Sequence, residues 1–421
     1  MADSLYANGV IGDASLRNDP RGSELAIALA LAFYLAGCTL LVTTGPTLGA
    51  LHAFAAFIVL TAVGALNQLL PVLTHAPNAH AGSVTALALS FAVGFVFLIV
   101  GFYGAPTFAA AAVVLAAGAI VWVGWSLLRL ARGRSERRTR TLLAISLAAF
   151  LSAVGIGAAM AGQLAGFAGL SSILSIAPIH AMLAIGGFAG MLVITISYRF
   201  VPMFAIAHAE RYGHWAPAWG AALGVIVAAF SLAGSTIGTR TGLATIVVAL
   251  VTLGAQHLKT IASRLRARLD VSLQYGRVAW SFAVAAALTA FIATWIPGIA
   301  PSAIALALLG WLSMTILGYA YKVVGFLTWQ GAKARLPAAR LPALGSAVDL
   351  PWAYGALALL TTGALATAAF MPFAPQIARI GYDLYALGGI TAVVAIARLA
   401  ALYLFASEEE RGTEIDHRAA R

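Results

Sequence analysis

Cysteine, acidic residues and charge of either sign are all scarce in this sequence. The single cysteine, Cys38, excludes a disulfide framework and any cysteine-based metal cluster. Only 9% of the 421 residues are charged, whereas soluble domains carry about a quarter. No Asp or Glu falls inside the long apolar runs as the sequence delimits them, so a carboxylate relay for protons has no material. The opening "MADSLYANGVIGDASLRNDPRGSE" lacks the basic region, apolar core and small-residue cleavage site of a signal peptide, which leaves insertion to the first apolar run.

What the chain has instead is apolar length. Hydrophobic residues make up 62% of it, and the mean hydropathy is +0.94. A helix needs about 20 apolar residues to cross a bilayer, and twelve such runs are centred near residues 35, 60, 92, 118, 153, 191, 225, 248, 288, 314, 362 and 393. The expected fold is an all-α membrane protein of twelve transmembrane helices. A single membrane domain (23–406) lies between a polar N-terminal segment (1–22) and a tail (407–421). The excess of positive charge, +11, gathers after even-numbered runs: Arg129, Arg132, Arg134, Arg137, Arg138 and Arg140; then Lys259, Arg264, Arg266, Arg268 and Arg277; then Lys333, Arg335 and Arg340. The other connections offer little beyond Arg240 and Arg379. This is the positive-inside signature rather than a nucleic-acid patch. It predicts a bacterial-type inner-membrane protein with both termini cytoplasmic and the lipid bilayer as its partner.

A polar phrase recurs at the ends of three runs: "LNQLLPVL" from Leu66, "ISYRFVPMF" from Ile196 and "AYKVVGFL" from Ala320. The stretches from Leu183 and Leu306 share Leu, Ala, Gly187/Gly310, Met191/Met314, Tyr198/Tyr321 and Val201/Val324, with Arg199 answering Lys322. The copy from His52 is weaker. A period of 131 residues (52 to 183) and then 123 (183 to 306) predicts three parallel four-helix units, about 23–131, 141–260 and 278–406, related by pseudo-threefold symmetry. Inverted-repeat transporters are built differently.

Two readings of the doublets remain open. Arg199 and Lys322 can snorkel to headgroups beside the interfacial anchors Tyr198 and Tyr321, with Pro71 and Pro202 ending or kinking their helices. Alternatively Asn67, Gln68, Tyr198, Arg199, Tyr321 and Lys322 converge as a polar cluster. Arg199 lies about 28 Å along its helix from His180, so the two mark opposite membrane faces. Among the histidines, His75, His80, His208, His214, His257 and His417 read as solvated. His52 and His180 stand near the outer ends of the second and sixth runs in apolar surroundings, where a polar side chain needs a partner or a function. On a uniform helix His180, Ala184, Gly187, Met191 and Tyr198 share a stripe, and Ala and Gly below the imidazoles leave room for a flat macrocycle. Two symmetry-related imidazoles suit axial haem ligation; they equally suit interfacial histidines bonded to carbonyls.

The twelve-run plan, the histidine near the outer end of run 2 and the phrase "NQLLPVL" closing that run resemble the core subunit of haem–copper oxidases. More closely, the chain is similar to oxidase-like membrane proteins with incomplete catalytic centres: relatives of the NnrS family and reduced homologues of the cbb3-type core subunit. The resemblance implies that His52 matches the low-spin haem ligand. Run 10, "IALALLGWLSMTILGYAY", lacks the histidine that should face it, and the copper-binding histidines of runs 6 and 7 are missing. Oxygen reduction and proton pumping are therefore not expected, nor is copper. The implied cofactor is haem b, held by His52 and His180, with Met191 or Met160 as substitutes. The implied role is electron transfer, response to a small ligand such as nitric oxide, or haem or metal assembly, alongside other membrane subunits or a redox partner. Two alternatives stand beside it: a transporter or channel passing a polar or anionic solute along Asn67, Gln68, Gln163, Arg199 and Lys322, and a catalytically empty scaffold.

Overall fold

The computed structural model of the protein describes residues 21–75, 79–134, 136–167, 173–207, 214–265, 269–333, 341 and 347–404. The terminal segments, His208, His417, Arg266, Arg268, Arg335 and Arg340 lie outside them. Among the described residues there is no strand, and each apolar run is a helix. In chain order these are α1 (Arg21–Thr44), α2 (Leu48–Thr74), α3 (Ala81–Phe102), α4 (Phe108–Arg132), α5 (Arg137–Leu164), α6 (Ala177–Ala205), α7 (Ala216–Ser231), α8 (Thr236–Ala262), α9 (Val271–Ile292), α10 (Pro297–Lys333), α11 (Leu350–Phe370) and α12 (Pro375–Leu404). Eleven are long and apolar enough to span a bilayer. The exception, α7, has 16 residues, about 24 Å against the roughly 30 Å hydrocarbon core. The chain is a multi-pass membrane protein.

Helix ends follow local chemistry. Thr47, Ser235 and Asp270 accept backbone N–H groups at the starts of α2, α8 and α9. Arg129, Arg132, Lys259 and Lys333 sit in the last turns of α4, α8 and α10, where cations complement the helix dipole. One end of the bundle is thus basic, and His52 and His180 lie at the far end. Pro71 and Pro202 stand inside α2 and α6, which stop within a turn at the left-handed residues His75 and Ile206.

Burial picks out the centre. In the most apolar windows of α2, α6 and α10, 67, 56 and 72% of residues are buried, against 33–44% in the other spanning helices. These three also meet one another: α2 and α6 each touch α10, and His52 meets His180. The outer helices expose large apolar side chains such as Val113, Phe230, Ile237 and Leu387, the surface a lipid solvent requires. Hairpins pack closely: between α11 and α12 a Cβ on Gly363 would lie 2.4 Å from the Tyr385 backbone nitrogen.

Two expectations need correction. The stripe on α6 assumes 3.6 residues per turn throughout, but Met182–Gly190 winds as π-helix, as does Leu306–Ser313 of α10. The i→i+5 bonding shifts the faces below relative to those above. Secondly, α12 begins at Pro375, ahead of the apolar run, so Asp383 lies two turns inside a helix. Its side chain is exposed, at the far end.

Candidate functional site: a histidine pair between α2 and α6

His52 lies in the first turns of α2, with Nδ1 2.7 Å from the Leu48 carbonyl one turn earlier. His180 lies in the first turn of α6, with Nδ1 2.8 Å from the Ala153 carbonyl of α5. A carbonyl only accepts, so each Nδ1 carries the proton and donates it. In the neutral ring this leaves Nε2 with its lone pair, the arrangement by which outer-shell carbonyls fix metal-ligating histidines. The rings are 23° from parallel, and their centroids are 6.4 Å apart. Two metal–nitrogen bonds of about 2 Å, plus the ring radii, separate such centroids by about 6 Å. Phe102 packs on the other side of His52 at 5.1 Å. Gly157 lies under His180, where a Cβ would stand 3.0 Å from Cε1. Both imidazoles are half-buried.

The carbonyl bonds suit either reading of these histidines, and the ring spacing is compatible with both. Other residues named from the sequence stand elsewhere. Met191 is buried 11 residues along α6 from His180, about 16 Å away. Met160 is half-buried on α5. Gly187 faces α5, where a Cβ would lie 2.8 Å from that of Ala149. Gly187 therefore provides close helix packing, and the room for a macrocycle inferred from its small size is already filled. Among the described residues no three His, Cys, Asp or Glu gather into a metal cage.

At the basic end the polar doublets do not converge. Asn67 Nδ2 and Gln68 Nε2 both donate to Ser23 of α1, at 3.0 and 3.1 Å. Arg199 pairs with Glu136 at the start of α5, at 3.5 Å, and Lys322 with Asp270 at the start of α9. Tyr198 stacks on Trp215 and donates to the His214 carbonyl. Tyr321 is buried against Tyr275. Each doublet ties the end of its helix to the start of the preceding one, or to the segment that follows. The sequence reading singled out neither acid, and only the packed helix ends show which cation each meets.

His75, His80 and His214 are exposed as expected. His257 is not: it is fully buried, and neither ring nitrogen has a hydrogen-bond partner among the described residues. Its position near a helix end suggested water, but Gly276 of α9 lets that helix close over the ring, which packs on Trp280.

No protein-family model matches the chain, and no curated protein matches its sequence.

Proposed function

We propose that the protein is an oxidase-like bacterial inner-membrane protein that holds haem b between His52 and His180, serving electron transfer, small-ligand response or haem and metal assembly rather than oxygen reduction. The observation that carries this reading is the imidazole pair: near-parallel, 6.4 Å between centroids, each ring fixed by a carbonyl at Nδ1. Bound there, haem would supply a one-electron centre, or an iron able to bind a diatomic ligand only if one imidazole is released. His52 and His180 would hold it through Nε2, with their rings oriented by the Leu48 and Ala153 carbonyls. Phe102 holds the His52 ring in place.

The three-unit plan draws support from α6 and α10. Their π-helical stretches end at Gly190 and Ser313, 123 residues apart (190 to 313), the offset at which the two sequences align. The basic end is the cytoplasmic one on the positive-inside rule, which puts the histidine pair near the outer surface. A solute path is less well supported, because the doublets are occupied by Ser23, Glu136 and Asp270. Gln163, in the last turn of α5, lies at the far end.

The test is the reduced-minus-oxidised spectrum of protein purified from a haem-replete host. Wild type should give a sharp α-band that both His52→Ala and His180→Ala lose. A flat wild-type spectrum sinks the proposal, and bands unchanged in both variants move the ligands elsewhere.

A further inference from the structure

The two imidazoles that meet across 6.4 Å are held in unlike ways. His52 belongs to a continuous α-helix, Leu48–Thr74, whose start is tied down. Thr47 accepts the Ala50 N–H, and the Tyr103 hydroxyl at the end of α3 lies 3.1 Å from the hydroxyls of both Thr44 and Thr47. Gly49 lets Tyr103 close on α2, since a Cβ there would stand 2.6 Å from the tyrosine ring. The His52 Nδ1–H bonds to Leu48 of the same helix, so that bond travels with α2, and Phe102 backs the ring.

His180 stands in a less regular place. It lies in a five-residue α-helical turn, Ala177–Ala181, between a 3₁₀ stretch, Ile173–Ile176, and the π-helix Met182–Gly190. Its Nδ1–H reaches across to Ala153 of α5, and the residue beneath its ring is Gly157. Among the described residues the only ring it meets is His52. A π-helix bonds i→i+5 where an α-helix bonds i→i+4. Passing one residue out of the π stretch therefore turns the residues before it by about 100° relative to those after, with about 1.5 Å of travel along the axis. Such a turn takes His180 away from the Ala153 carbonyl and from His52 together, and leaves α2 in place.

We propose that His52 is the fixed ligand of the pair and His180 the one that gives way to a diatomic ligand, an inference that rests on the haem-holding reading above. The exchange moves neither an electron nor a proton. The bond from iron to His180 Nε2 breaks, a bond to the incoming ligand forms, and the imidazole leaves neutral with its proton still on Nδ1. Among the roles named above this selects response to a small ligand, because a centre that only transfers electrons keeps both of its axial ligands. The part that moves is the first turn of α6.

The experiment uses the full chain, purified from a haem-replete host into nanodiscs and reduced, with carbon monoxide as the probe. Wild type should show a low-spin spectrum and bind carbon monoxide at a rate that levels off as its concentration rises, because departure of an imidazole limits the reaction. A Cβ at position 157 would stand 3.0 Å from His180 Cε1, so Gly157→Ala crowds that ring and should raise the limiting rate about tenfold. Phe102→Leu loosens the packing on His52 and should leave the rate unchanged. His180→Ala should keep its haem, measured as the pyridine haemochrome, and bind carbon monoxide with no plateau, whereas His52→Ala should lose most of its haem. Three results overturn the proposal while the haem reading stands: no carbon monoxide binding by a low-spin wild type, an effect of Phe102→Leu equal to or larger than that of Gly157→Ala, or haem kept by His52→Ala and lost by His180→Ala. A flat wild-type spectrum sinks the haem reading itself. Wild type, Gly157→Ala and Phe102→Leu retain both histidines, so the test does not depend on a ligand-deletion variant folding.

Discussion

At the residue scale, the two ion pairs at the basic end differ in how much water reaches them. Lys322 and Asp270 have side chains only 25% and 16% exposed, whereas Arg199 and Glu136 are 43% and 38% exposed. Asp270 also accepts the Ser272 N–H at the start of α9. Asp270→Ala should therefore lose a cap and strand a half-buried ammonium, costing about 2–3 kcal/mol. Glu136→Ala should cost under about 1 kcal/mol. Unfolding in mild detergent measures both. If Asp270→Ala is no worse in a Lys322→Met background than the Lys322→Met change alone, the pair is the main source of the loss. Ser23→Ala leaves Asn67 and Gln68 without their shared acceptor, and Asn67 Oδ1 already lacks a partner among the described residues. That substitution should cost about 1–3 kcal/mol by the same assay.

At the scale of elements, glycine sets how closely the hairpins pack. In α7 and α8 a Cβ on Gly242 would meet the Ala228 backbone nitrogen at 2.5 Å; in α11 and α12 the Gly363 position is as tight. Backbone cannot yield as a flexible side chain can. In a bilayer, where helix association rests on packing rather than water exclusion, small residues at such contacts are what bring helices together. Gly363→Leu should push α11 from α12 and lower stability by about 1–3 kcal/mol or more, read as a fall in unfolding temperature. Gly124→Leu on α4, where a Cβ meets open space, is the matched control and should change little.

For the whole molecule, the basic and far ends define a topology that chemistry can read. Cys38 is 1% exposed and so stays silent toward thiol reagents, which makes wild type a ready background. Phe373, 78% exposed between α11 and α12, is at the far end; Arg132, the exposed last residue of α4, is at the basic end. With a membrane-impermeant maleimide on intact cells, Phe373→Cys should label at once and Arg132→Cys only after permeabilisation. The reverse pattern would invert the orientation and put the histidine pair at the cytoplasmic face.

The twelve helices were written in the sequence because hydrocarbon is an unforgiving solvent: each crossing demands its own apolar run, and Arg, Lys and Pro at the ends mark where it stops. His52 and His180 stood out for the same reason, as polar side chains where apolar ones belong. Their meeting across 6.4 Å depended on how α2, α5 and α6 pack, which no local pattern encodes. Glu136 and Asp270 carried no signal in the sequence, because their partnership with Arg199 and Lys322 arises only when helix ends meet. His257 looked solvated until Gly276 allowed α9 to cover it. The π-helical turns of α6 and α10 had no sequence signal at all, because they depart from the 3.6-residue period with which a sequence is read.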